Sequence, residues 1–320
     1  MIKFLKYYDR FGIFILIIAG SIFLSIASPY FLELNTILNI ITQGTYGAIV
    51  GFGMTFAITS GGFDISVDAV LALTSVFLSI LIPIIGIPSA IIISLLIACF
   101  VGMVNGLIIT KLNVNPLITT LAMMIIIRGV ALLVAGGRQI VIHEKEFMVI
   151  GTGKILGIPI PIYIMMFLFI VFYLILYHTT FGRHVSAVGS NENATRISGV
   201  NVDIVKIMVF VLVSFTAGVV GVIRTSQALI GVPTMSPGFV LVAIAVTVLG
   251  GTSLAGGKGN LWGTLFAGIF ISMIYYGLNL LGVQFFYKML SVGVALILAL
   301  LIDGFRTRYL DRIKAKGIKV

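Results

Sequence analysis

The stretch TFGRHVSAVGSNENATRISGVNVDIVK occupies residues 180–206 and is the one long polar stretch with helical character in an otherwise apolar chain. Apolar runs precede it and follow it along the rest of the sequence. Backbone and side chains of this polarity do not lie exposed in hydrocarbon. If the apolar runs cross a membrane, this stretch therefore lies on the membrane's surface, and we predict that a soluble partner docks there.

The composition is that of an integral membrane protein. The 320 residues are 60% hydrophobic and 9% charged, and the mean hydropathy is +1.22, whereas a typical soluble domain is about 25% charged. Apolar runs of roughly 20 residues indicate helices, since the strands of a membrane barrel are shorter and alternate in polarity. No stretch between the runs is long enough for a soluble domain, so we predict one transmembrane domain spanning residues 1–320.

The apolar runs predict about ten transmembrane helices in an all-α fold, with both termini on one side. Fourteen of the 20 Lys and Arg residues fall on that side and four on the other. Because basic residues mark cytoplasmic loops, we expect a multi-pass protein of the cytoplasmic (inner) membrane with both termini in the cytoplasm. The predicted spans are about 11–28, 38–60, 66–83, 88–110, 115–136, 159–179, 207–229, 238–255, 260–281 and 285–303.

This topology assigns a side to each polar segment. Residues 180–206 become a cytoplasmic loop, residues 137–158 an outward loop, and residues 304–320 a basic cytoplasmic tail. The net charge of +10 then reflects the topology, and we expect no nucleic-acid partner. The apolar run 11–27 is longer than the roughly 7–15 apolar residues of a signal peptide, so we interpret it as an uncleaved first span.

Two glycine-rich breaks interrupt the apolar runs, within residues 60–68 and 250–260. Unwound backbone at membrane depth is tolerated where protein or water satisfies it, as in the broken helices of transporters. The competing interpretation is a tight cytoplasmic turn. The residues that define the breaks are Gly61, Gly62, Asp64, Asp68, Gly250, Gly251, Gly256 and Gly257.

The order of the spans predicts an internal repeat. Spans two to five and spans seven to ten start from opposite sides of the membrane, which predicts inverted repeats.

The sequence contains no recognisable catalytic or cofactor-binding constellation. The histidines His143, His178 and His184 are far apart, and Cys99 is the single cysteine. No G-x-x-x-x-G-K-[ST] loop is present, so ATP hydrolysis by that route is excluded. Acidic residues lie in loops or at span ends, with Asp68 the one candidate for the middle of a span. We therefore expect no catalytic residue, metal or cofactor, and a partner that supplies the energy.

Four segments together resemble a known family. They are TSGGFDISV at 59–67, NPLITTLAMM at 115–124 followed by Arg128-Gly129, AVGSNENATRISGV at 187–200, and LGGTSLAGGKG at 249–259. In this order and with these spans between them, the segments resemble the permease subunits of bacterial ATP-binding-cassette (ABC) sugar importers of the ribose, xylose and galactoside type. The resemblance covers about residues 40–303. Asp68 stands where the family usually has Gly, and Thr195 replaces a common Ala.

The resemblance implies a permease that moves a monosaccharide, ribose or a similar sugar, between other subunits. An extracytoplasmic solute-binding protein delivers the sugar, two permease copies form the pathway, and an ABC ATPase hydrolyses the ATP. The polar stretch then holds the helix that docks on the ATPase, with Ser190 and Asn191 as caps, apolar contacts from Ala194, Ile197 and Val200, and Arg196 paired to the partner. The predicted coupling residues are Gly189, Asn191, Glu192, Ala194, Arg196, Ile197, Gly199 and Val200.

Polar residues within the spans are candidates for the sugar pathway, since a sugar needs hydrogen bonds without a counter-charge. The competing interpretation is that these side chains bond between helices. The candidates are Asn105, Thr119, Thr120, Arg128, Arg224, Gln227 and Asn279.

Other functions remain open on the sequence alone. The chain also fits an ABC permease for nucleosides or branched-chain amino acids, since such permeases look related. A second alternative is an ion-coupled secondary carrier that acts without partners.

Overall fold

The computed structural model describes residues 2–284 and the positions 287, 290, 293, 294 and 297, with side chains from residue 13 onward. This part of the chain is mostly helical, and its strands have two residues each. The helices are α1 (Ile2–Ala27), α2 (Leu34–Thr59), α3 (Val67–Ile85), α4 (Ile87–Lys111), α5 (Pro116–Ala135), α6 (Met148–Thr152), α7 (Ile160–His178), α8 (Thr180–Ser190), α9 (Glu192–Ile197), α10 (Val202–Ala228), α11 (Phe239–Leu249) and α12 (Leu261–Leu280). The strands are β1 (Ile140–Val141), β2 (Lys154–Ile155), β3 (Ile158–Pro159) and β4 (Ile230–Gly231).

The all-α membrane fold predicted from the sequence is confirmed. Six described helices are long and apolar enough to cross a membrane, namely α3, α4, α5, α7, α10 and α12. The apolar part of α1 (Ile13–Ala27) and α11 are shorter. The predicted tenth span, 285–303, lies outside the described residues apart from single positions, and the tail 304–320 lies outside them altogether. The exact number of spans and the inverted repeat therefore stay predictions.

Helix α2 forms the centre of the packing. Almost all of its residues from Gly44 onward are buried, including Phe52 and Phe56, whose rings contact Phe169 and Phe172 of α7. Its glycines let α12 approach closely, since a Cβ built at Gly44 would lie 3.0 Å from the Ile269 Cα. The polar residues of α2 are tolerated in a membrane protein because they are buried within the bundle and face protein instead of lipid.

The predicted eighth span is wrong in its extent. Instead of a helix over 238–255, the chain forms the short helix α11 of 11 residues, about 16 Å long and half of the hydrocarbon thickness. The preceding residues 232–238 form turns beside α3: the Val232 amide donates to the Ser75 hydroxyl (3.2 Å), and the Gly238 amide donates to Asp68 (2.9 Å). The helix ends at Leu249 because Gly250 caps it and Gly251 then adopts a φ of +90°, a conformation that favours glycine.

The loop 137–158, predicted to face outward, is folded onto the end of α10. Strand β1 pairs with β4 in antiparallel register, and β2 pairs with β3 as a hairpin. The Gly151 amide donates to the Ser226 hydroxyl (2.8 Å), which itself donates to the Phe147 carbonyl (2.5 Å). Phe147 is fully buried. These contacts give the loop a fixed shape on the end of α10.

Candidate functional site

The polar stretch folds into two successive helices. Helix α8 begins with the Thr179 hydroxyl accepting from the Gly182 amide (3.2 Å), and α9 begins with the Asn191 side chain accepting from the Ala194 amide (2.9 Å). Gly199 adopts a φ of +87° just after α9, a conformation that favours glycine. The predicted cap at Asn191 and the end at Gly199 are thus observed. The predicted cap at Ser190 is wrong, because Ser190 is the last residue of α8 and its hydroxyl donates to the Ser186 carbonyl.

Five charged side chains of alternating sign fix α9 to its neighbours. Glu192 pairs with Lys206 (2.5 Å) and with Arg196 (3.3 Å). Asp203 pairs with Arg196 (3.0 Å) and with Lys111 (2.9 Å), which is the last residue of α4. The network therefore joins α9, the start of α10 and the end of α4. Arg196, expected to pair with a partner protein, binds two carboxylates of its own chain.

The network also sets the ionisation of its two acids. The hydrogen bond from Lys111 lowers the pKa of Asp203, and Arg196 adds to this effect. Partial burial raises the pKa of Glu192, but the bonds from Lys206 and Arg196 outweigh it, so the net pKa is lowered. Both carboxylates are consequently charged at neutral pH, and the ion pairs are intact there.

One face of α9 points away from the protein. Ile197 is 87% exposed, although a large aliphatic side chain is usually buried. Ala194, one turn earlier, is also exposed, whereas Thr195 on the opposite face is buried. Val200, predicted to make contacts with the partner, instead packs partly buried against the core. The face available for docking therefore consists of Ala194 and Ile197 with polar neighbours.

The end of α8 meets both glycine-rich breaks at one point. The Thr59 carbonyl accepts a hydrogen bond from the Gly257 amide (2.8 Å). A Cβ at Gly189 would overlap the same carbonyl, and a Cβ at Gly256 would lie 2.7 Å from the Gly189 carbonyl oxygen. We call this contact of Thr59, Gly189, Gly256 and Gly257 the glycine junction. It brings together backbone from three segments that are remote in sequence, with no intervening side chain.

Tyr177 adds a second connection between this region and the second break. Its hydroxyl donates to the Gly259 carbonyl (3.1 Å) and accepts from the Leu261 amide (3.2 Å). Tyr177 lies at the end of α7, three residues before α8 begins. Sequence reasoning missed this residue, since one tyrosine at the end of an apolar span carries no distinguishing signal.

Polar side chains from two helices support the first break. The Asn105 amide donates to the Ser66 hydroxyl (3.0 Å), and that hydroxyl donates to buried Asp64 (2.6 Å). The Thr120 hydroxyl accepts from the Ile65 amide (3.0 Å). The neighbouring Thr119 hydroxyl donates within α5 to the Asn115 carbonyl. In this structure these three pathway candidates, Asn105, Thr119 and Thr120, serve as bonds between and within helices.

Asp68 and Arg128 form an ion pair inside the bundle. Arg128 is the thirteenth of the 20 residues of α5, and its guanidinium lies 3.3 Å from the Asp68 carboxylate, which is 2% exposed. The same carboxylate oxygen accepts from the Gly238 amide at the start of α11 (2.9 Å). A carboxylate is stabilised at the N-terminus of a helix and beside a cation. Asp68 therefore connects α3, α5 and the start of α11.

A cavity of about 720 Å³ lies between α2, the ends of α10 and α12, and the start of α11. Arg224 stands over the Tyr46 ring at 5.4 Å and the Phe239 ring at 5.8 Å, and it donates to the Ser236 hydroxyl. Of the predicted pathway residues, Arg224 and Asn279 line this cavity. The polar and aromatic side chains of the described lining are Gln43, Tyr46, Arg224, Ser236, Phe239, Ser272, Tyr275, Tyr276 and Asn279.

Gln227 lies beside the cavity and connects it to the loop 137–158. Its side-chain oxygen accepts from the Tyr46 hydroxyl (2.7 Å), and its nitrogen donates to the Gly151 carbonyl (3.0 Å). Within the described residues, no group of His, Cys, Asp and Glu is arranged to hold a metal ion.

A helical membrane bundle in which the short helix α11 lies beside a mostly apolar cavity with a few polar groups, and which carries a folded helical loop on its surface, defines a polytopic membrane permease. Comparison with known proteins gives the family. Residues 36–302 match the family described as "Branched-chain amino acid transport system / permease component". The chain belongs to this permease family.

Several curated relatives are similar over nearly their whole length. The ribose import permease protein RbsC of Escherichia coli K12 is 39% identical over 285 residues, which cover 88% of this chain and 89% of the relative. RbsC of Bacillus subtilis is 41% identical, covering 91% and 90%. The L-arabinose transport system permease protein AraH of E. coli K12 is 32% identical, covering 96% and 94%. No solved structure matches. The resemblance to ABC sugar-importer permeases, predicted from the four motifs, is confirmed.

Proposed function

We propose that this chain is the membrane-spanning permease through which a monosaccharide, ribose or a similar sugar, is imported with energy from ATP hydrolysed by a separate ABC ATPase. Relatives named as ribose, arabinose and allose permeases support the substrate class. Two permease copies, as a homodimer or a pair of close relatives, form the pathway within the lipid. An extracytoplasmic binding protein delivers the sugar to the side of loop 137–158, and both termini lie in the cytoplasm with the loop 180–206.

The exposed face of α9 is the proposed docking site for the ATPase. Ala194 and Ile197 supply an apolar surface that fits a groove on a protein, and the ion pairs of Glu192 and Arg196 with the start of α10 keep α9 in a fixed orientation. A surface that bound anionic lipid instead would carry unpaired basic residues. On α9 the one basic residue, Arg196, is paired with carboxylates.

The glycine junction is the observation that supports the coupling mechanism. Because Gly189 contacts the Thr59 carbonyl and Gly256 directly through backbone, α8 cannot move relative to the two breaks without displacing one of them. Closure of the ATPase pair would move α9 and α8 together. The displacement would then reach the end of α2 and the connection from α11 to α12, and it would change access to the cavity.

The test places a large side chain on the docking face. Ala194→Trp is introduced into the complete transporter in proteoliposomes, and ribose uptake and ATP hydrolysis are measured together. We expect uptake to fall by at least about tenfold while ATP hydrolysis continues. The matched control is Ala122→Trp, the same substitution at an exposed position of α5 away from the loop. Unchanged uptake in Ala194→Trp would refute docking through this face.

The family description favours a second substrate class, branched-chain amino acids. Competition of labelled ribose uptake by unlabelled pentoses, hexoses and leucine decides between the two, and competition by leucine alone would contradict the sugar assignment. A secondary carrier is distinguished by reconstituting the chain without partners. Such liposomes should accumulate no sugar under an ion gradient.

A further inference from the structure

We propose that Arg224 makes the cavity a charge-selective passage, which admits uncharged and anionic hydroxyl-rich solutes and repels cations. The inference rests on the proposed transport function, because it assigns the cavity to the path of the solute. It adds a specificity residue that the family resemblance and the relatives do not name.

The charge of the cavity lining is the first argument. Among the described residues that line it, Arg224 is the one with a formal charge. Its side chain binds the Ser236 hydroxyl and lies over two aromatic rings. Within the described part of the chain, no carboxylate lies within ion-pair distance of it. The described part of the lining therefore carries a net positive charge.

Comparison with Arg128 shows that this arrangement differs from ordinary packing. Both arginines lie in helices that are long and apolar enough to span a membrane. Arg128 is neutralised by Asp68 at 3.3 Å, as expected for a charge that only connects helices. Arg224 has polar and π-electron contacts but no counter-ion among the described residues. Intramembrane charges without a counter-ion usually face a water-filled cavity and interact with the solute or ion that passes through it.

The remaining lining suits a hydroxyl-rich solute. Gln43 and Asn279 offer amide groups for hydrogen bonds, and Tyr46, Tyr275 and Tyr276 offer ring faces. Aromatic faces and a few placed polar groups are the usual composition of small-molecule cavities, whose volumes run from about 300 to 1,000 Å³. The cavity of about 720 Å³ falls in this range. A neutral sugar meets no charge penalty there, an anionic sugar is attracted, and an amino sugar is repelled.

The test measures the electrostatic potential of the cavity without using transport. In a full-length Cys99→Ser permease, Gln43→Cys places one thiol in the lining. The thiol is labelled in membranes with a cationic trimethylammonium methanethiosulfonate and with an anionic sulfonate methanethiosulfonate. Each rate is divided by that of the same reagent with a small free thiol. We expect the anionic-to-cationic ratio to exceed one by about tenfold, since a unit charge nearby at intermediate dielectric has an effect of this size or larger.

Variants of Arg224 provide the control. Arg224→Gln should bring the normalised ratio close to one, and Arg224→Lys should keep most of the preference for the anionic reagent. A ratio near one with Arg224 present overturns the proposal, and this measurement does not depend on how well the variants fold. An equal preference in Arg224 and Arg224→Gln also overturns it. Labelling requires neither ATPase nor binding protein, so failure of the coupling mechanism would leave this result unaffected.

Discussion

Substitution of Gly189 by alanine tests the glycine junction directly. Gly189 is a helical residue of α8, so alanine there improves helix propensity by about 0.5–1 kcal/mol. The new Cβ would overlap the Thr59 carbonyl, which already accepts the 2.8 Å bond from the Gly257 amide. Relief of such overlap requires backbone movement, which costs about 1–3 kcal/mol. Loss of the hydrogen bond costs about 1 kcal/mol more. We expect a net destabilisation of about 1–3 kcal/mol.

Gly129→Ala is the matched control for this substitution. Gly129 is also helical, in α5, and a Cβ built there meets no atom within 4 Å. The Gly129→Ala variant should therefore have the same gain in helix propensity without the steric overlap. Its stability should equal that of the wild type or be slightly higher. The two variants differ only in what the added methyl group contacts.

The assay compares thermal unfolding with coupled transport in the purified complex. Gly189→Ala should lower the midpoint of thermal unfolding and reduce the sugar imported per ATP hydrolysed, whereas Gly129→Ala should change neither by more than a small amount. If both variants had the same midpoint and the same coupling ratio, the backbone contact would have no mechanical role and the coupling mechanism would be refuted.

Two further predictions concern the charged groups. Asp68→Asn leaves Arg128 without its counter-ion and should destabilise the protein by about 2–4 kcal/mol in thermal or denaturant unfolding. Adding Arg128→Gln should recover part of this loss, and simple additivity of the two changes would show that the pair is not coupled. The lowered pKa values of Glu192 and Asp203 mean that their ion pairs are fully present above their unfolded pKa values of about 4 and are lost as the pH falls below that. The rate of hydrogen exchange at the α9 amides, corrected for intrinsic rates, should rise below about pH 4. A corrected rate that stayed constant down to pH 3 would show that the ion pairs do not hold α9 in place.

Much of the local structure was predictable because its causes are local. Apolar runs indicated the six described helices that are long and apolar enough to cross a membrane, since each span must place about 20 residues in hydrocarbon. Asn191 and Gly199 marked α9 because a capping side chain and a left-handed backbone are properties of single residues. The glycines of both breaks indicated an interruption of the helix, either unwound backbone or a tight turn, and the structure has non-helical segments at both places.

The predicted pathway residues divided in a way the sequence did not anticipate. Asn105, Thr120 and Arg128 bind groups near the first break, whereas Arg224 and Asn279 line the cavity. All of them are polar residues in apolar spans, so their sequence environments look alike. Their partners lie on other helices, and the choice of partner depends on how those helices pack.

The sequence by itself determined that this is a helical membrane permease, because hydrophobic length, charge bias and short motifs are each contained in contiguous residues. Only the tertiary structure decided that Thr59, Gly189 and Gly257 share one backbone contact. It also decided that Asp68 neutralises Arg128 while Arg224 stays without a carboxylate partner among the described residues. Contacts across 60 or more residues of sequence depend on the relative placement of helices, which is fixed by the packing of all their faces at once.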